Sequence, residues 1–98
     1  MIDYSPAARR HVRELTSHYR RRERPEAIRN LRAALVSAEA AILDGAPGQS
    51  YPATYESLAK PGRRWIKGNP YWIAFERSPH PVILAVFWES AAIDRRLS

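Results

Sequence analysis

The chain has no cysteine, so disulfides and thiolate metal sites are both excluded. Glycine occurs only four times and methionine once. No glycine-rich phosphate loop and no low-complexity tract is present, and no segment repeats. No uninterrupted apolar run approaches the ~18 residues that a membrane-spanning helix needs. The N-terminus enters structure-like sequence at Ile2-Asp3-Tyr4-Ser5-Pro6 without a signal-peptide apolar region, so a cytoplasmic location is expected. Ninety-eight residues support one domain with one modest core.

Acidic residues are scarce where basic ones crowd. Residues 1–32 carry nine Arg against four acids, and residues 63–98 carry six basic residues against three acids. The middle, residues 33–62, has one Lys against three acids. The net charge is +6. Basic ends around a mildly acidic middle point to an anionic partner, either nucleic acid or an acidic protein segment. The plainer reading is an arginine-rich solvated surface.

The last third is the most structured-looking part. Tyr71-Trp-Ile-Ala-Phe-Glu76 and Val82-Ile-Leu-Ala-Val-Phe-Trp88 are two strand-length apolar runs joined by Arg77-Ser-Pro-His-Pro81. Aromatic and β-branched content with a proline-bearing turn predicts a β-hairpin. Strict alternation would place Ile83, Ala85 and Phe87 on one face of the second run, with Val82, Leu84, Val86 and Trp88 on the other. Apolar residues on both faces predict a central strand. One sheet face then needs cover from the tail, a partner or a second copy.

Upstream, Ile2-Asp3-Tyr4 reads as a short strand. Ser5-Pro6 reads as a helix cap followed by a first-turn proline. Ala8, Val12, Leu15 and Tyr19 then form a one-sided stripe, which predicts a helix over 6–21. Pro25 starts a second helix, where Ile28, Leu31, Leu35, Ala38 and Ile42 recur at spacings of three and four. Ala27, Ala34 and Ala41 add a small-residue row that lets a second helix approach. Asp44-Gly45 ends it. Residues 45–62 are a proline- and glycine-rich loop, functional or hiding a short helix near 53–59. Residues 63–67 read as a strand, and 89–98 as a polar tail. The expected fold is α+β, β-α-α-β-β-β, with an antiparallel helical hairpin (6–44) on a small, mainly antiparallel sheet (63–88).

That order resembles the RelE/ParE superfamily of type II toxin–antitoxin toxins over essentially the whole chain. The resemblance is carried by Tyr4-Ser5-Pro6-Ala7-Ala8, by the basic hairpin, by Gly62-Arg63-Arg64-Trp65-Ile66 with Tyr71-Trp72-Ile73-Ala74-Phe75, and by Val82–Trp88 with the segment Glu89–Leu97. It implies a toxin held by a cognate antitoxin that wraps an acidic amphipathic segment around the basic helices and the sheet. RelE-like members cut messenger RNA on the ribosome, while ParE-like members inhibit DNA gyrase. From Glu89 onward there is no Tyr and no His, and Trp88-Glu89-Ser90 replaces the basic residue that ribonuclease members often carry there. The tail therefore looks closer to the ParE pattern. The resemblance implies a gyrase-directed surface on the basic hairpin and on Arg95, Arg96 and Leu97. If the open sheet face binds a partner helix, Trp72 and Trp88 are the expected antitoxin anchors, with Arg13 and Arg20 contributing, since interface hot spots favour Trp and Arg. A homodimer or a hetero-oligomer with the antitoxin fits the same picture.

The alternative chemistry is metal-independent RNA cleavage. It needs a base, a cation for the phosphorane and an acid for the leaving oxygen. Arg64, Lys67 and Arg77 are the cation candidates. Adjacent strand residues face opposite ways, so Arg63 and Arg64 cannot both address one phosphate. A cation-guarded edge strand explains the same residues. A third reading is a non-enzymatic basic module that binds nucleic acid. His11 and His18 flank Glu14 on the first helix, but a spacing of seven is not the usual metal pair, and a solvated face is the expectation. His80 is expected in an exposed turn, and Arg20-Arg21-Arg22 in a solvated one. No cofactor or metal is expected.

Overall fold

The computed structural model describes residues 2–89. In chain order the elements are β1 (Asp3–Tyr4), α1 (Pro6–Arg21), α2 (Pro25–Leu43), a 3-10 turn (Glu56–Leu58), β2 (Arg64–Gly68), β3 (Tyr71–Glu76) and β4 (Val82–Trp88). The fold is α+β: two helices against a four-stranded mixed sheet of order β1-β4-β3-β2. β1 runs parallel to β4, and the other two pairings are antiparallel. No described helix is long and apolar enough to cross a membrane.

Local chemistry sets the helix ends. Ser5 holds an extended backbone, and its Oγ accepts the Ala8 amide at 3.1 Å. Pro6 follows at the first helical position, where a missing N–H costs nothing. His18, Arg20 and Arg21 occupy the last turn of α1, where positive charge suits the helix dipole. At the end of α2, Gly45 takes φ +95°. Its amide bonds to Ile42 O, and the Ala46 amide bonds to Ala41 O. This paired closure satisfies two of the orphan carbonyls.

The sheet buries both faces. On the helix side, Leu31, Leu35, Ala38 and Ile42 of α2 meet Ile73, Phe75, Ile83 and Val86. Val12, Leu15 and Tyr19 of α1 pack against the same cluster. The far side carries Trp65, Trp72, Ala74, Ala85 and Phe87. It is covered from within the chain: Leu58 is buried there, and Tyr55 and Leu84 pack alongside. The loop is pinned to the sheet by a two-bond bridge in which Gln49 and Trp65 exchange amide bonds of 2.8 Å. The expectation that this face awaits a tail, partner or second copy is therefore corrected, because the 45–62 loop supplies the cover.

A second correction concerns β4. Ala74 pairs with Ala85 but Phe75 pairs with Ile83, so Leu84 is surplus. Such a bulge reverses the alternation beyond it. Ile83 and Val86 share the helix side, while Ala85 and Phe87 share the loop side. The grouping of Ile83 with Ala85 and Phe87 fails for this reason.

Candidate functional site

The three cations raised for phosphate chemistry do not converge. Arg64, at the start of β2, spends its guanidinium on the loop. Nε donates to Pro47 O at 2.8 Å, one terminal nitrogen to Gly48 O at 2.8 Å and the other to Ser50 Oγ at 3.1 Å. Arg77, just beyond β3, donates to Ile42 O at 2.8 Å and also to Ala46 O. Its guanidinium lies over the Phe75 ring at 5.4 Å. It thus closes the C-terminal end of α2. Lys67, towards the other end of β2, holds Glu89 at 2.7 Å and sits 4.8 Å above the Trp72 ring. Two of the three are fasteners for backbone carbonyls, and the third is ion-paired.

The tryptophans separate. Trp65 is fully enclosed and Trp72 is buried in the far-side cluster under Lys67. Trp88 is 46% exposed and lines a groove of about 380 Å³ together with Leu15, Tyr19, Arg24 and Tyr71. Of the two tryptophans expected to anchor an antitoxin, only Trp88 presents surface. Arg13 and Arg20 are exposed, and neither has an ion pair among the described residues. Arg95, Arg96 and Leu97 lie outside the described residues.

The histidines also separate. The solvated-face reading is corrected for His11, which is 7% exposed. β1 spans only two residues, so beyond Ile83 the edge of β4 opposite β3 has no strand neighbour among the described residues. The cap of α1 and α1 itself satisfy that edge with side chains: Ser5 Oγ donates to Leu84 O at 3.1 Å, and His11 Nδ1 accepts the Val86 amide at 3.3 Å. The His11 ring packs on Phe87 at 4.6 Å. His18 is exposed, and exposed His80 meets Asp3 at 3.1 Å. Among the described residues no group of three or more His, Asp or Glu is placed to hold a metal ion.

Two part-buried tyrosine bonds fix the helices to the sheet. Tyr19 and Tyr71 share a hydroxyl bond of 2.5 Å, and Tyr4 donates to Glu39 at 2.7 Å. Burial, then the hydrogen bond and the neighbouring charge, raise Tyr4 and Tyr71 well above the ordinary tyrosine range. Both phenols are therefore neutral in the fold at a pH where an unfolded chain ionises them. Their contribution to stability is complete below about pH 10 and falls as the pH rises beyond it. Alkaline unfolding followed by circular dichroism should show this loss, and Tyr71→Phe should flatten it. A Tyr71→Phe profile identical to the parent's above pH 10 would refute the assignment.

Sequence reasoning missed one grouping. Lys60-Pro61-Gly62-Arg63 forms a tight turn in which Gly62 takes φ +80° and the Arg63 amide bonds to Lys60 O at 3.1 Å. The turn brings Lys60, Arg63, Arg64 and Ser50 to one cleft of about 330 Å³. The visible signal was the Pro-Gly pair between basic residues. No protein-family model matches this chain, and no curated protein matches it.

Proposed function

We propose that this chain is the toxin of a type II toxin–antitoxin pair, of the ParE kind within the RelE/ParE superfamily. In this reading it inhibits DNA gyrase and is neutralised by an antitoxin bearing an acidic amphipathic segment. The support is the element order, with a basic helical hairpin on one face of a four-stranded sheet. Seven exposed arginines of the hairpin, at 9, 13, 20, 21, 22, 29 and 32, lack an ion pair among the described residues. Such a surface favours a segment of opposite charge that folds on binding.

The observation that weighs most against the ribonuclease alternative is the use made of Arg64 and Arg77. Their guanidiniums are committed to main-chain carbonyls and to Ser50, not to an open phosphate site. The test is induced expression of the chain alone in a bacterial host, following DNA integrity, messages and protein synthesis over the first minutes. DNA breakage and filamentation with intact messages is the expected result. Early message cleavage overturns the gyrase target. Growth without harm overturns the toxin reading.

A further inference from the structure

A half-buried cation with no counter-charge among the described residues stands beside β2. One terminal nitrogen of Arg63 donates to Leu58 O. Its guanidinium lies 5.6 Å from the centre of the Trp65 ring, and its Nε is enclosed with no partner. Burial lowers its pKa below the ordinary arginine value. Next to it, the exposed Lys60 side chain makes no hydrogen bond or ion pair among the described residues. Arg64 completes the set, immobilised by its three bonds to the loop.

These three cations and Ser50 line one cleft, and no Asp or Glu lines it. Charges drawn away from water are ordinarily paired. Here like charges face a shared space with nothing of opposite sign. Two of the three are held in place by carbonyls and cannot swing apart. The arrangement favours an anion by charge, with two of its three cations already fixed in place.

We propose that this cleft binds a phosphate-class oxyanion, held by the Lys60 ammonium and the Arg63 guanidinium, with Arg64, whose three donors are bound to the loop, contributing only its fixed charge. No His, Tyr or carboxylate lines the cleft, so it holds the anion without a group to act as general base. The proposal does not depend on the toxin reading. The same chemistry is offered by free phosphate and by the phosphodiester of a nucleic-acid strand.

The experiment is thermal unfolding of the full chain in about 20 mM inorganic phosphate against chloride at matched ionic strength. A site with a Kd of about 5 mM should raise the midpoint by about 5 °C. Phosphate also stabilises proteins generally by exclusion from their surfaces, so the decisive comparison is with Lys60→Gln. Lys60 is exposed and unbonded, so this variant keeps the fold, and it should lose at least half of the shift. Lys60→Glu should raise the midpoint in chloride, by giving Arg63 a counter-charge, and should abolish the phosphate response. Equal shifts in the parent and Lys60→Gln overturn the proposal. A short single-stranded oligonucleotide then separates the sources. If it binds tighter than phosphate, with Lys60→Gln erasing the difference, the anion is a nucleic-acid backbone. If it binds no tighter, the anion is free phosphate.

Discussion

Arg77→Ala should destabilise the fold by about 2–4 kcal/mol, read as a lower midpoint in chemical denaturation. Two charged hydrogen bonds and a cation at a helix C-terminus contribute, each weakened because the side chain is only half-buried. Removing the guanidinium leaves Ala46 O without its side-chain donor, strips Ile42 O of its charged donor so that only main-chain amides remain, and uncovers the Phe75 ring. Arg77→Lys should rescue little. One ammonium on a flexible stem does not reproduce a planar fork spanning two carbonyls. A catalytic role predicts the opposite pattern, with unchanged stability and lost activity. An Arg77→Ala chain as stable as the parent would therefore revive the ribonuclease reading. Stability has to be measured before any loss of toxicity in this variant is interpreted.

Gly48→Ala should cost roughly 3–5 kcal/mol, the size expected where backbone strain and a core clash coincide. Gly48 has φ +67°, which an L side chain adopts with strain. A methyl group there would also lie 2.8 Å from Trp65 O and 3.0 Å from two atoms of the Phe75 ring. Trp65 O cannot retreat, because it accepts the Gln49 amide that pins the loop to β2. Gly45→Ala is the control. It has φ +95° but nothing within 4 Å of the added atom, so only the conformational penalty of about 1 kcal/mol applies. Urea midpoints of the two variants should differ clearly. Equal losses would mean that the close approach at Gly48 is unimportant.

Much of the architecture was legible because its signals are local. Ser5-Pro6, Pro25 and Asp44-Gly45 mark helix ends through cap chemistry that depends on neighbours in sequence. The apolar runs at 71–76 and 82–88 mark central strands through composition. The bulge was not legible. Leu84 sits inside an unbroken apolar run, where no polar residue records which face each side chain takes. The loop cover was hidden because Tyr55 and Leu58 are isolated apolar residues among prolines and glycines. The candidate site was least legible of all. The partners of Arg64 and Arg77 are mainly carbonyl oxygens, which every residue possesses and no sequence displays. His11 was misread for a related reason: its partner is a main-chain amide 75 positions away.

β4 lies between β1 and β3, although it is the last strand described. On a ribosome, β1 and both helices emerge long before the strand that β1 pairs with. At about 5–20 residues per second, the apolar stripes of α1 and α2 wait seconds for the surface they cover. No fragment ending before Val82 can assemble the sheet that joins β1 to the rest. A nascent or prematurely terminated product is therefore inert with respect to any activity that needs the finished fold, and it is the form most exposed to aggregation, chaperones and proteases.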